Sequence, residues 1–385
     1  MKQYLANIKK SFKLKNYLNY IVIIAAFVLF TALYYADALN RSTPTLLNQI
    51  AYSIILAVSL NLVVGFLGEL SLGHAGFMCV GAYIGMYAAN AMIGSGMATL
   101  LALIIAIFLG GIIAAVFGFI VGLPALRLRG DYLAIVTLAF GEIVRNICRN
   151  IPALGGAQGL QSAIYLPIYS NKKMPLFLVT FVLLFVMLIV VQNLIRSKHG
   201  RAITAIRDNE IAAKSMGINV TYYKLFVFVF SAFFAGVAGV IYGSSVSPVL
   251  YSTFDYNYSI EILVMVVLGG MGSINGSIIA ATVITVLNFY LKAYLSDVAA
   301  VKTLVYAIIL IAMVVYKNAP ALKSFRERYD LKKLFAMIIR KKHVASGDDS
   351  HRWDVVPTKI EMNEVLSTDI SFTESVTTPD KEVNK

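Results

Sequence analysis

One long apolar stretch decides the class of fold: Ala98-Thr-Leu-Leu-Ala-Leu-Ile-Ile-Ala-Ile-Phe-Leu-Gly-Gly-Ile-Ile-Ala-Ala-Val-Phe-Gly-Phe-Ile-Val-Gly-Leu123. None of its residues is charged. A helix rises about 1.5 Å per residue and the hydrocarbon core of a bilayer is about 30 Å thick, so roughly 20 mostly apolar residues cross it. The stretch therefore predicts a helix that spans a membrane.

Similar stretches recur along the chain and predict an all-α protein that crosses the membrane many times. The chain is 59% hydrophobic and 14% charged, whereas soluble domains are about 45–50% apolar and about 25% charged. Lipid is therefore expected to be its main solvent. The other clear candidate spans are Tyr20–Tyr35, Leu46–Phe66, Ala75–Ile93, Leu176–Ile195, Leu225–Tyr242, Ile260–Leu268, Ser277–Leu291 and Lys302–Tyr316.

The distribution of lysine and arginine predicts how these spans are oriented, because cytoplasmic loops carry an excess of both. The N-terminal lysines and the basic stretches 196–224 and 317–342 are therefore expected in the cytoplasm. An even number of crossings must separate successive cytoplasmic anchors. The segment Tyr132–Cys148 then counts as a span, although Glu142 and Arg145 interrupt it. The prediction is about ten transmembrane helices with both termini cytoplasmic.

Four regions follow from this pattern. Residues 1–18 form a basic cytoplasmic N-terminus, and residues 19–317 form the transmembrane domain, which contains the cytoplasmic loop 196–224. Residues 318–343 combine a basic and an apolar face, which is typical of a helix lying at the membrane surface. Residues 344–385 have too few apolar side chains for a core and are predicted to be a disordered cytoplasmic tail.

Several function classes are excluded by the sequence. The net charge of +13 is explained by cytoplasmic loops, and no aromatic residues are interleaved with the basic ones as in nucleic-acid binding. Cys79 and Cys148 are the only cysteines and suit neither a disulfide framework nor a metal site. The sequence contains no phosphate-binding G-x-x-x-x-G-K-[ST] and no hydrolase motif, so we expect no enzyme and no cofactor bound by this chain.

Two glycine-rich stretches interrupt the apolar pattern: Gly65-Phe-Leu-Gly-Glu-Leu-Ser-Leu-Gly-His-Ala-Gly76 and Gly269-Gly-Met-Gly-Ser-Ile-Asn-Gly276. On one interpretation, each is a break at membrane depth, which is tolerated inside protein or beside a water-filled cavity and can mark a transport path. On the other, each is a tight cytoplasmic turn in which glycine supplies unusual dihedral angles. The candidate residues for a path or gate are Gly73, His74, Gly76, Gly269, Gly270 and Gly272.

Polar residues within the spans allow two interpretations as well. Glu142 and Arg145 are three residues apart on one predicted helix, close enough to pair. They either line or gate a path for a zwitterionic substrate, or pack the bundle near its outer end. His74 is isolated in sequence, which favours a hydrogen-bonded structural role over a proton relay. The glycine pairs spaced as GxxxG, such as Gly81 and Gly85, favour packing within the molecule.

The cytoplasmic loop contains the most informative stretch, Gly200-Arg-Ala-Ile-Thr-Ala-Ile-Arg-Asp-Asn-Glu-Ile-Ala-Ala-Lys-Ser-Met-Gly-Ile-Asn219. Asp208 or Asn209 can cap a helix, and Glu210 suits the first turn of that helix. Gly217 is placed to end the helix in the left-handed conformation. The stretch predicts a short helix from Glu210 to Met216, after a shorter turn over Arg201–Arg207. The small side chains of Ala212 and Ala213 would let a groove of another protein grip the helix.

This loop resembles the EAA loop of bacterial ABC importer permeases, with one extra residue between Glu210 and Gly217 and no proline after it. Three further stretches are similar to the LivM-type permeases of high-affinity branched-chain amino-acid importers. They are Leu70-Ser-Leu-Gly-His-Ala-Gly-Phe77, Gly130-Asp-Tyr-Leu-Ala-Ile-Val-Thr-Leu-Ala-Phe-Gly-Glu-Ile-Val-Arg145 and Val267-Leu-Gly-Gly-Met-Gly-Ser273. The resemblance covers about residues 49–316.

The resemblance implies a multi-pass permease subunit in a bacterial cytoplasmic (inner) membrane, surrounded by lipid. It implies three kinds of partner: a second, similar permease, two ATP-binding subunits that hydrolyse ATP-Mg, and an extracytoplasmic substrate-binding protein. The implied substrates are leucine, isoleucine and valine, and the implied coupling residues are Arg207, Asp208, Glu210, Ala212, Ala213 and Gly217. Urea, short amides or other amino acids remain alternative substrates, and a self-sufficient secondary transporter remains an alternative class.

Overall fold

The computed structural model describes residues 43–125, 132–164 and 176–294, together with Thr31, Ile308 and Ile311. Within these ranges the chain is helical and has no β-strand. We number the helices α1 Thr43–Asn61, α2 His74–Gly94, α3 Thr99–Ala125, α4 Tyr132–Asn150, α5 Leu176–Arg196, α6 Lys198–Asp208, α7 Glu210–Ser215, α8 Val220–Ser245, α9 Tyr256–Gly269 and α10 Ile274–Tyr294. A π-helix, Leu62–Leu67, continues α1.

Every predicted span that falls within the described ranges is a helix. Six of these helices are long and apolar enough to cross a membrane: α1 with its π-helical extension, α2, α3, α5, α8 and α10. Helix α9 has only 14 residues, and α4 carries Glu142, Arg145 and Arg149. The all-α class is confirmed for the described residues, whereas the count of ten spans and the side on which the termini lie stay predictions.

The predicted spans Tyr20–Tyr35 and Lys302–Tyr316 lie outside the described ranges. The same is true of the three regions predicted for residues 1–18, 318–343 and 344–385.

Helix α8 lies at the centre of the described bundle and packs against α1, α2 and α3. Glycine allows these backbones to approach very closely. A β-carbon added at Gly81 would lie 2.2 Å from the carbonyl oxygen of Gly236, and one at Gly239 would lie 2.0 Å from that of Met78. In lipid such van der Waals packing replaces the hydrophobic drive between helices. Gly81, Gly85 and Gly239, which have GxxxG spacings, therefore pack within this chain.

Helix α1 is buried almost throughout, including its polar side chains. Two of these polar residues are hydrogen-bonded to side chains on other helices. The Thr180 hydroxyl donates to Asn48 Oδ1 at 2.5 Å, and the Ser231 hydroxyl donates to the carbonyl oxygen of Ser59 at 2.6 Å. Such bonds stabilise a bundle because an unpaired polar group in an apolar interior costs several kcal/mol.

The connections between helices gather at two ends of the bundle. At one end, here called the α6–α7 end, lie the segments 62–73, 196–219 and 270–273. At the other end, residues 151–164 and 246–255 pack together. Leu160 and Val249 exchange two backbone hydrogen bonds there, of 3.0 and 2.9 Å. The candidate site is built at the α6–α7 end.

Candidate functional site

The loop between α5 and α8 folds into two capped helices, as its sequence predicts. The Ser197 hydroxyl accepts from the backbone N–H groups of His199 and Gly200, which begins α6. Asn209 Oδ1 accepts from the N–H of Ala212 at 3.0 Å and begins α7. Of the two predicted caps, Asn209 is therefore the one that caps α7. Helix α6, Lys198–Asp208, is longer than the predicted turn over Arg201–Arg207.

Helix α7 ends at Ser215, and Gly217 follows with φ +80°. The N–H of Gly217 donates to the carbonyl of Lys214, and the N–H of Ile218 donates to that of Ala213. This left-handed ending confirms the conformation predicted for Gly217.

The two faces of α7 have opposite environments. Ile211 is 80% exposed and Met216 is 83% exposed, and Ala212 lies on the same open side. Ala213 is only 4% exposed and packs into the hydrophobic core of this chain. The prediction that Ala213 offers a surface to another protein is therefore wrong, because its side chain is already covered by the core of this chain.

A buried lysine on α8 forms an ion pair with the first residue of α7. Lys224 Nζ lies 2.5 Å from Glu69 Oε1 and 2.9 Å from Glu210 Oε2. The Lys224 side chain is 8% exposed, against 17% for Glu69 and 54% for Glu210. One ammonium thus joins α8, the first residue of α7 and the glycine-rich segment after α1. Sequence reasoning missed Lys224, although a lysine near the start of an apolar helix is itself a signal of a polar contact.

Arg207 connects α6 to the same glycine-rich segment. Its Nη1 donates to the carbonyl oxygen of Gly65 at 3.1 Å, and its Nη2 lies 2.9 Å from Asp208 Oδ1. A β-carbon at Gly68, which has φ +84°, would lie 2.8 Å from Arg207 Cγ. The arginine side chain therefore lies directly against backbone that has no room for a larger residue.

Asn61, at the end of α1 and just before the first glycine-rich break, is hydrogen-bonded to the second break. Its Nδ2 donates to the carbonyl of Ser273 at 3.1 Å and to the hydroxyl of Ser277 at 2.9 Å. Its Oδ1 accepts from the N–H of Gly272 at 2.9 Å. Gly270 and Gly272 have φ values of +100° and +77°, so the second break is a tight turn at the α6–α7 end. Sequence reasoning did not single out Asn61, because its partners are more than 200 residues away.

The first break has a different form. Residues 68–73, here called the re-entrant segment, follow the π-helix and lead to His74, the first residue of α2. His74 Nε2 lies 2.8 Å from the Ser59 hydroxyl, which is eight residues before Leu67 and so roughly 10 Å deeper in the bundle. The segment thus leads into the protein interior, and its position at membrane depth along a transport path stays a prediction.

The start of α2 is enclosed on all sides by polar and small groups. The Leu72 N–H donates to Thr137 Oγ1, and the Ala75 N–H donates to Ser259 Oγ, both at 3.0 Å. A β-carbon at Gly73 would lie 2.2 Å from the carbonyl of Thr137, and one at Gly76 would lie 2.6 Å from Gly141 Cα. His74 is 2% exposed and hydrogen-bonded, as the structural role requires.

Glu142 and Arg145 lie apart from this end of the molecule. They form the predicted ion pair, with Arg145 Nη2 2.6 Å from Glu142 Oε2, and about a quarter of each side chain is exposed. Glu142 faces a shallow groove on the outer side of α4, together with Asn146 and Asn150. The structure brings Arg207, Glu210, Gly270 and Gly272 together with Lys224, but it does not bring Glu142 or Arg145 to them.

The chain matches one family model over residues 42–314, described as the branched-chain amino acid transport system / permease component. This match covers well over half of the chain and includes every element of the α6–α7 end. The chain belongs to this permease family.

Curated relatives within the family are similar over the same part of the chain. The LivM permease protein of Salmonella typhimurium is 38% identical over 60% of this chain and 60% of its own length. LivM of Escherichia coli is 36% identical over 64% of this chain and 63% of its own. LivH of Salmonella typhimurium is 24% identical over 63% of this chain and 82% of its own. The match thus spans less than two thirds of the length of these two LivM relatives.

Proposed function

We propose that this chain is a permease subunit of an ABC importer of the branched-chain amino acids leucine, isoleucine and valine. It would work in a bacterial cytoplasmic membrane with a second, similar permease, two ATP-binding subunits and an extracytoplasmic substrate-binding protein. The family membership, with relatives named as LivM and LivH permease proteins, supports this proposal.

The observation that carries the proposal is the exposed apolar surface of α7. Ile211 and Met216 project from a helix whose opposite side is fixed by buried Ala213 and by the Lys224–Glu210 ion pair. Large apolar side chains on a rigid support are typical of residues that anchor a protein interface. We propose that the ATP-binding subunit covers them, so that ATP-driven movement of that subunit pulls on α7.

The ion pair of Glu142 weighs against a self-sufficient secondary transporter. Such a protein needs a carboxylate at membrane depth that binds the coupling ion. Glu142, a carboxylate within a predicted span, would be a candidate for that role, but its charge is already balanced by Arg145. Uptake that stops when the ATP-binding subunits are deleted, yet persists with an uncoupler, would agree with the importer. Competition with unlabelled urea, short amides and other amino acids would identify the substrate.

Two substitutions test the docking of α7. Ile211→Ser and Met216→Ser should each weaken binding of the ATP-binding subunits by about thirtyfold and so reduce their co-purification, because loss of an interface anchor costs about 2 kcal/mol. Leu250→Ser, at the opposite end of the bundle and 39% exposed, is the matched control and should have no effect. Membrane levels of all three variants should be normal. Unchanged co-purification in both α7 variants would refute the proposed docking surface.

A further inference from the structure

The buried ion cluster formed by Lys224, Glu69 and Glu210 joins one coupling residue implied by the resemblance, Glu210, to two residues that have no role in it. Lys224 is 7% exposed, and it meets both carboxylates within hydrogen-bond distance. An ammonium has three N–H donors and can serve both at once. Burying a lysine is expensive unless its charge is paired, so both contacts stabilise the position of the lysine.

The three residues belong to three different elements at the α6–α7 end. Glu210 is the first residue of α7, the helix with the exposed apolar face. Lys224 lies one turn into α8, the central helix of the bundle. Glu69 is the second residue of the re-entrant segment, which leads to His74 at the start of α2. The cluster is therefore a direct connection from the outer surface of the protein to its interior.

The far end of the re-entrant segment is fixed tightly. His74, Leu72 and Ala75 are hydrogen-bonded to Ser59, Thr137 and Ser259, which lie on α1, α4 and α9. A displacement of Glu69 would therefore act on the place where the start of α2 meets α1, α4 and α9. Packed interiors respond to small shifts by changing between discrete arrangements, because they are not continuously deformable.

We infer that Lys224 is a positioning residue that transmits the movement of α7 through Glu69 to the re-entrant segment and the start of α2. This inference rests on the proposed function, since it takes the movement of α7 to come from an ATP-binding subunit. In this arrangement Glu210 and Glu69 are two links in series. Breaking either link interrupts transmission, while α7 keeps its exposed apolar face for docking.

The test compares Glu69→Gln, Glu210→Gln and the double variant in the complete reconstituted importer. Each single variant should hydrolyse ATP with ATP-binding subunits bound, yet the amino acid transported per ATP should fall about fivefold or more, as typical coupling energies imply. Because the links are in series, the double variant should be no worse than either single variant. If the two glutamates contributed independently, the fold losses of the single variants would instead multiply in the double variant.

Three lysine variants complete the test. Lys224→Met removes the shared cation and should lose transport per ATP as the glutamine variants do. Lys224→Arg keeps a cation with donors for both carboxylates and should retain most of the transport per ATP. Lys198→Met removes an exposed lysine at the start of α6 and is the matched control for a lost positive charge.

The outcomes separate this inference from the proposed function. If the unaltered importer couples normally and both glutamine variants keep the same amount of transport per ATP, the relay is wrong while the importer stands. Multiplicative losses in the double variant would also overturn the relay. Failure of the unaltered chain to bind ATP-binding subunits at all would refute the proposed function itself.

Discussion

Two adjacent residues of α7 differ in role because one is exposed and the other is buried. Ala212 is exposed and Ala213 is buried, although both are small and adjacent in sequence. A bulky side chain at Ala213 would disturb the packing of this chain, whereas one at Ala212 would alter only the outer surface. Variants intended to disturb docking therefore belong at Ala212, Ile211 or Met216.

Gly217 gives a prediction at the same scale. Its φ is +80°, and a β-carbon there would meet no atom within 4 Å, so backbone strain is the only penalty. Gly217→Val should destabilise the end of α7 by about 1–2 kcal/mol, whereas asparagine tolerates this conformation. Hydrogen exchange of the Ile218 amide, bonded to the Ala213 carbonyl, should accelerate roughly 5–30-fold in the valine variant.

Gly217→Asn is the matched control and should exchange nearly as slowly as the unaltered protein. Equal protection in the two variants would mean that the left-handed conformation contributes nothing to α7.

At the scale of whole elements, the helices were predictable and their contacts were not. The predicted span Leu46–Phe66 is found as α1 with its π-helical extension, because apolar composition alone determines where lipid can be crossed. Capping also acts locally, so Asn209 and Gly217 were found from sequence. Lys224 and Asn61 bind partners distant in sequence, Glu69 and Ser273, and composition carries no record of such pairs.

The pairing of Leu160 with Val249 gives a prediction about two connections at the opposite end. Residues that exchange two backbone hydrogen bonds have Cα atoms about 5.5 Å apart, which suits a disulfide. In a chain with Cys79→Ala and Cys148→Ala, the pair Leu160→Cys and Val249→Cys should cross-link on mild oxidation. Mass spectrometry of the linked peptides would detect it. The pair Leu160→Cys and Leu250→Cys is the control, because adjacent side chains point to opposite sides.

A lack of cross-linking in the first pair, with both thiols reactive towards a maleimide, would show that these two connections do not pack together.

At the scale of the whole molecule, orientation in the membrane is the main prediction that the structure leaves to experiment. Reporter fusions within 196–224 and at the C-terminus should report the cytoplasm, because lysine and arginine concentrate there. Fusions at Pro167 and within 244–259 should report the outside. The α6–α7 end would then face the ATP-binding subunits. A cytoplasmic signal at Pro167 would remove α4 as a crossing and reduce the count of spans.

The enclosure of α1 has a consequence for biosynthesis. This helix leaves the ribosome before every other described element, yet its polar groups Asn48, Ser59 and Asn61 bind Thr180, Ser231 and Ser277, which are made much later. Until those helices are made, these polar groups of the otherwise apolar α1 lack the partners they have in the complete structure. In a chain that terminates before α10, the side-chain amide of Asn61 has no Ser277 hydroxyl to bind. Quality-control proteases could recognise incomplete chains by such unpaired polar groups.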